Sequence, residues 1–256
     1  MKVTFGLFCA LVTFSSNIQA SNARLVSATQ NDIPIASFVI ESLDGQHSHR
    51  YNVNEQADER FVPASTFKIP NTLIMLEEGA VSGPDDVIKW DGVEREYRNW
   101  NQDQTLKSAF QRSCVWCYQR YAEQLGNELY LNYLRKLDYG NHLTGPEITQ
   151  FWLEGDLKIS VPEQIDFLRR FYNNDLPIEQ RHIDTLKQIM LFESDEGYQI
   201  SAKTGWSGKY GWYVGYLEVD GQVWLFANHL VIESTSDLKY RKSILLDTFK
   251  QLGILP

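Results

Sequence analysis

Residues 212–231 read WYVGYLEVDGQVWLFANHLV, and this stretch decides the fold. Apolar and aromatic residues run on both sides of Asp220-Gly221. That dipeptide suits a two-residue hairpin turn, whose central positions need positive φ. Residues 212–219 and 222–231 are therefore expected to be antiparallel neighbours. Just upstream, residues 199–203 read as a third strand. At the other end of the chain, residues 35–41 (IASFVIE) are apolar and β-branched, and Asp44-Gly45 offers a second tight turn. The middle follows a different period. Residues 104–125 predict a long helix and 128–137 a shorter one. In 162–172, Pro162 suits a first helical position, and Ile165, Leu168 and Tyr172 repeat at helical spacing. Residues 178–191 follow the same pattern, and 240–252 form an amphipathic helix ended by Gly253. Strands at both ends joined by hairpins, with helices between, predict an α+β fold. Its antiparallel sheet is built from N- and C-terminal strands, with a helical region packed against it. A cleft between the two is the natural place for a site.

Composition narrows the function classes. The chain has 256 residues, 43% hydrophobic and 22% charged, which is ordinary for a globular protein. Its formal net charge of −9 argues against nucleic acid and anionic membrane, both of which attract basic patches. There are 3 cysteines, too few for a disulfide scaffold. Residues 1–20 read as a secretory signal peptide: Lys2, then an apolar run over 3–14, a polar stretch and Ala20 at the cleavage point. Cys9 leaves with it. No later stretch is long and apolar enough for a second span. Residues 21–256 then form one exported domain.

Short motifs carry the chemistry. Ser65-Thr66-Phe67-Lys68 lies between Pro63 and Pro70. Residues three apart share one helix face, so Ser65 and Lys68 can touch. A serine hydroxyl needs an adjacent base, and a lysine serves only if burial or modification stops it being a plain ammonium. Lys203-Thr204-Gly205 stands at a strand end directly before Trp206. It can bind a carboxylate, with Gly205 allowing close backbone approach. Ser113-Cys114-Val115 supplies a second serine, able to relay a proton. Each motif alone is frequent by chance. Their order is more specific, and no S-D-N motif accompanies them as it does in class A β-lactamases.

In this order the chain resembles the class D serine β-lactamases, the oxacillinase type. The family's S-x-x-K, S-x-V, Y-G-N, F-W-L and K-[TS]-G stand here as Ser65 to Lys68, Ser113 to Val115, Tyr139-Gly140-Asn141, Phe151-Trp152-Leu153 and Lys203 to Gly205. The resemblance implies that Ser65 attacks the β-lactam carbonyl to form an acyl-enzyme. Lys68 would carry carbon dioxide as a carbamate, the general base, in a pocket of Phe67, Val115, Trp152 and Leu153. The Trp152 indole N–H would hold that carbamate. Ser113 would pass a proton to the leaving nitrogen. The backbone N–H groups of Ser65 and Trp206 would form an oxyanion hole, of which one donor is worth roughly 3–4 kcal/mol in other enzymes. Lys203, Thr204, Gly205 and Arg241 would face the substrate carboxylate, which an arginine can grip bidentately. Trp100 resembles an aromatic at the cleft mouth.

By the same resemblance the enzyme is a periplasmic, metal-free hydrolase that gives resistance to penicillin-type antibiotics. It leaves room for a homodimer and does not rank the substrates. The connection from Gly205 to Trp212, short compared with relatives, leaves carbapenem breakdown open. The alternative is an exported penicillin sensor or D,D-peptidase, acylated without rapid turnover. The sensor needs a membrane partner segment that is not visible, and Val115 departs from the peptidase S-x-N. A thiol oxidoreductase reading of Cys114-x-x-Cys117 lacks the usual βαβ setting. Two buried thiols are the preferred reading of that pair, although their Cα separation on a helix would permit a disulfide.

Overall fold

The computed structural model describes residues 36–195 and 197–256. The expected signal peptide, residues 1–20, lies outside them. Strands are β1 (Ala36–Ser42), β2 (Ser48–Asn52), β3 (Val87–Ile88), β4 (Gln104–Thr105), β5 (Leu191–Asp195), β6 (Tyr198–Ser207), β7 (Tyr210–Val219) and β8 (Gln222–Val231). Helices are α1 (Lys68–Glu77), α2 (Leu106–Gln111), α3 (Val115–Leu125), α4 (Asn127–Lys136), α5 (Val161–Tyr172), α6 (Gln180–Met190) and α7 (Tyr240–Gln251).

Among the described residues the main sheet has 6 strands in the order β2-β1-β8-β7-β6-β5, and every pairing in it is antiparallel. The Asp220-Gly221 turn joins β7 to β8 with Val219 opposite Gln222. Both turn residues have positive φ, 50° and 73°. The N-terminal strand closes onto the C-terminal one, Ile40 opposite Phe226 and Ala36 opposite Leu230. The α+β architecture expected from the sequence is thus the one observed.

Side chains alternate across a strand, so each sheet face has its own partner. Phe38, Ile40, Tyr213, Leu217 and Phe226 pack with Leu245 and Phe249 of α7. Val39, Trp212, Val214, Tyr216 and Ala227 join the helical core of α1 to α6. α5 starts at a capping box in which Ser160 and Glu163 satisfy each other's backbone N–H groups, with Pro162 in its first turn.

Two elements differ from the sequence reading. Residues 104–125 are not one helix. They form β4, then α2, then α3, with Ser113 between the helices at φ +55°. Left-handed backbone cannot continue a right-handed helix, although the apolar periodicity runs across the break. Residues 191–195, read partly as helix end, form edge strand β5. Four of its five residues are exposed, so no apolar alternation marks it.

The Tyr139-Gly140-Asn141 motif is a structural clamp. Asn141 accepts from the Lys158 amide (3.0 Å) and donates to the Asp156 carbonyl (2.7 Å). Its own amide donates to the Lys158 carbonyl (2.9 Å). Gly140 has φ +60°, and a Cβ there would lie 2.3 Å from the Lys158 carbonyl oxygen. The clamp fixes the segment carrying Phe151, Trp152 and Leu153. Gly140→Ala is expected to cost about 2–3 kcal/mol, from a positive-φ alanine plus a backbone overlap. Urea unfolding checks this, and a loss under 0.5 kcal/mol would sink it.

Candidate active site

Ser65 sits in a short 3-10 turn, Ala64–Phe67, that runs straight into α1. Ala64 before it has φ +51°. A non-glycine residue holds that conformation only when its surroundings over-determine it, and here they do. The Ala64 amide donates to the Trp152 carbonyl (2.8 Å). Thr66 Oγ1 donates to the Pro63 carbonyl (2.7 Å) and accepts from Gln164 Nε2 (3.1 Å). Trp212 Nε1 donates to the Val62 carbonyl (2.9 Å). Three parts of the chain, α5, β7 and the 151–153 segment, thus hold the serine's backbone. Thr66 and Gln164 were not singled out in the sequence, because their role shows only as a contact between distant segments.

Lys68 begins α1 with its amine 3.2 Å from Ser65 Oγ. It is 1% exposed. Burial pulls its pKa down from 10.5 to about 7. The amine also lies 4.8 Å from the Tyr118 ring centroid, a contact favouring the charged form that is too weak to restore it. Phe67 stacks on Trp152 (centroids 5.8 Å) and meets Phe151 edge-on (5.1 Å). Trp152 Nε1 is buried with no hydrogen-bond partner among the described residues. An orphaned buried donor is costly, so it marks a place for an acceptor.

The break between α2 and α3 turns Ser113 toward the sheet. Lys203 Nζ donates to Ser113 Oγ, and also to the Thr204 carbonyl (3.0 Å). Lys203 is 4% exposed. Its pKa falls well below 10.5 through burial first, then repulsion from Lys68 and Arg241. Arg241 donates from Nη1 to the Gly205 carbonyl and from Nε to the Leu238 carbonyl, both 2.9 Å. Its pKa is also lowered by burial. That uses two of the five guanidinium donors. Among the described residues none of these cations is in a salt bridge. The cleft is therefore electropositive inside an acidic protein.

Gly205 lets the sheet approach the turn that carries Ser65. A Cβ there would lie 2.9 Å from the Pro63 carbonyl oxygen and 3.1 Å from Thr66 Cγ2. Thr204 is half-buried one position earlier. Trp206 follows, its indole tied to the Gly208 carbonyl (2.7 Å). Beyond it, Ser207 Oγ bonds the Leu153 carbonyl, joining β6 to the segment that carries Trp152. Val115, half-buried, opens α3 directly after Ser113 and Cys114. Trp100 is held against this shoulder: its Nε1 donates to the Arg112 carbonyl (2.9 Å), and its carbonyl accepts from Trp116 Nε1 (3.0 Å).

Cys114 and Cys117 form a disulfide with Cα atoms 5.5 Å apart. This corrects the expectation of two thiols. The physical reason is the helix start: Cys114 is the N-cap, outside the helix, and Cys117 is in its first turn. Both are 0% exposed, which removes them from thiol exchange with a substrate.

Residues 20–250 match the penicillin binding protein transpeptidase domain family. The chain is 41% identical to β-lactamase OXA-48 of Klebsiella pneumoniae over 206 residues, 79% of this chain and 78% of that one. It is 33% identical to β-lactamase OXA-10 of Pseudomonas aeruginosa, covering 98% of both. Among solved structures, a class D β-lactamase from Nostoc superposes with TM-score 0.84 at 36% identity, over 87% of this chain and 95% of that one. FUS-1 (OXA-85), a class D β-lactamase from Fusobacterium nucleatum, gives 0.83 at 35%, over 87% and 94%.

The Lys68 shift has a thermodynamic consequence. Between about 7 and 10.5 the unfolded chain binds a proton at this lysine that the folded chain does not. Stability therefore rises with pH across that window. From pH 7 to 9.5 this group contributes a gain of about 3 kcal/mol. Urea unfolding in carbon dioxide-free buffer should show Lys68→Met more stable than wild type at pH 7, with the difference shrinking by that amount at pH 9.5. A difference independent of pH would contradict the assignment.

Proposed function

The chain belongs to the class D β-lactamases, serine enzymes that hydrolyse the β-lactam amide and confer antibiotic resistance, and from that premise we propose how its residues perform the reaction. The carrying observation is the buried Ser65–Lys68 contact; the unpartnered Trp152 indole belongs to the ring that stacks on Phe67, the residue before Lys68.

Ser65 Oγ attacks the lactam carbonyl as its proton passes to the base at Lys68, 3.2 Å away, and the ring C–N bond breaks to leave an acyl-enzyme. The start of α1 has no side-chain cap and no acidic residue in its first turn, so its dipole favours negative charge at the reacting carbonyl. The backbone N–H groups of Ser65 and Trp206 would bind the oxyanion. Ser113 delivers a proton to the departing nitrogen, its hydroxyl oriented by Lys203. Lys203, Thr204 and Arg241 receive the substrate carboxylate, and the anion would relieve the repulsion among the cleft's cations.

A carbamate fits this pocket: about half of the amine is neutral near pH 7, the form that reacts with carbon dioxide, and Trp152 Nε1 lacks an acceptor. Lys68 would carry it and Trp152 would hold it, with Phe67, Val115 and Leu153 as walls. When present, it supplies a general base beside Ser65. The apolar walls keep bulk water from the amine and so keep its pKa low.

We further propose that residues 1–20 are a cleaved signal and that residues 21–256 act in the periplasm. Among the described residues no helix is long and apolar enough to cross a membrane. Mass spectrometry of the exported protein is expected to start it near Ser21; an intact Met1 would refute cleavage.

Nitrocefin hydrolysis tests the mechanism. Wild type is expected to turn over, Ser65→Ala to lose activity, and a stable acyl-enzyme without turnover would favour the sensor reading. Trp152→Ala should lower turnover at least about ten-fold. Added bicarbonate should recover part of that loss, and a carbon-13 carbamate signal from labelled bicarbonate should weaken. Turnover indifferent to both changes rules out the carbamate.

A further inference from the structure

We propose that the Cys114–Cys117 disulfide is a covalent helix cap that positions Ser113 for proton transfer. Cys114 is the N-cap of α3 and Cys117 its third residue. In a capping box, side-chain hydrogen bonds link these two positions. α2 has one of that kind, between Thr105 and Ser108. Cys114 makes no side-chain hydrogen bond to the helix; instead a sulfur–sulfur bond spans the same two positions.

The residue immediately before this cap is Ser113, in left-handed backbone at φ +55°. Few residues other than glycine hold that conformation without support. Support comes from the Ser113 amide on the Phe110 carbonyl (3.1 Å) and the Cys114 amide on the Ala109 carbonyl (2.9 Å). The disulfide fixes the other side by tying Cys114 to the first turn of α3. A helix start without a side-chain cap frays; the disulfide accepts no N–H, but it holds the N-cap residue to the first turn covalently. Fraying here would free the Cys114 backbone, and with it the direction of Ser113 Oγ toward Lys203. Neither sulfur needs to meet the substrate, and both cysteines are fully buried. The pair acts through Ser113.

The bond forms when both thiols lose their hydrogens to a disulfide-bearing oxidant, which leaves as two thiols. A dithiol reductant reverses it, returning two cysteine thiols and becoming a disulfide itself. The expected exported compartment favours the oxidised form.

The proposal rests on the reading of Ser113 given above, and the test separates the two. Acylation by nitrocefin is followed by stopped flow, with folded enzyme counted by active-site titration. Cys114→Ala/Cys117→Ala is expected to slow acylation about ten-fold, a loss in keeping with a misplaced proton donor, while substrate affinity stays within about two-fold. In a Ser113→Ala background the same pair of changes should slow nothing further. Cys114→Thr/Cys117→Ser copies the Thr105/Ser108 box and should recover most of the rate. No slowing by the alanine pair, equal slowing in both backgrounds, or no advantage of the Thr/Ser pair would each overturn the cap. If Ser113→Ala alone leaves acylation unchanged, the relay reading falls and takes this proposal with it. Should the alanine pair not fold, wild type refolded from urea with and without dithiothreitol, which reaches the bond in the unfolded chain, gives the same comparison once thiols are titrated.

Discussion

The site depends on keeping one lysine amine dry. Lys68 is 1% exposed, and burial alone brings its pKa to about 7. At neutral pH that costs the fold about 4 kcal/mol, comparable to a large part of a domain's net stability. Phe67, Phe151, Trp152, Tyr130 and Tyr139 pack ring against ring in the same core, and burying such apolar surface opposes that cost. The same packing leaves the Trp152 indole without an acceptor. Burial thus disfavours the charge on one amine and leaves one indole donor unused in the same core.

The rest of the architecture brings groups to that pocket from opposite ends of the chain. β6 carries Lys203 and Gly205, α7 carries Arg241, and α1 begins at Lys68. They converge because β1 pairs with β8, and because Gly205 lets β6 pack directly on the turn before α1. A Cβ at 205 would lie 2.9 Å from the Pro63 carbonyl oxygen and push the strand off that turn. The left-handed residues Ala64 and Ser113 stand at the two serines. Strain is stored where the surroundings over-determine the backbone, and both positions meet that condition.

The sequence showed the sheet strands best where their signal was local. The Asp220-Gly221 turn and the apolar runs beside it needed no tertiary information. Helices α4 to α7 were close to their expected ranges, because amphipathic periodicity and caps lie within each segment. The break in 104–125 was not legible. Apolar spacing continues through Ser113, and only its φ reveals the interruption. β5 was missed because an exposed edge strand carries no alternation. The disulfide was missed for a related reason: its geometry depends on where α3 starts, between the cysteines and not before them.

By itself, the sequence determined the fold class and the order of the motifs, since hairpin turns, helical period and motif spacing are local properties of the chain. Only the tertiary structure decided what those motifs do to one another. It placed Lys68 out of water, crowded Lys203 and Arg241 into the same cleft, and turned Asn141 into a clamp on the segment bearing Trp152. Desolvation, orphaned donors and close backbone approach arise between distant segments, so no local pattern encodes them.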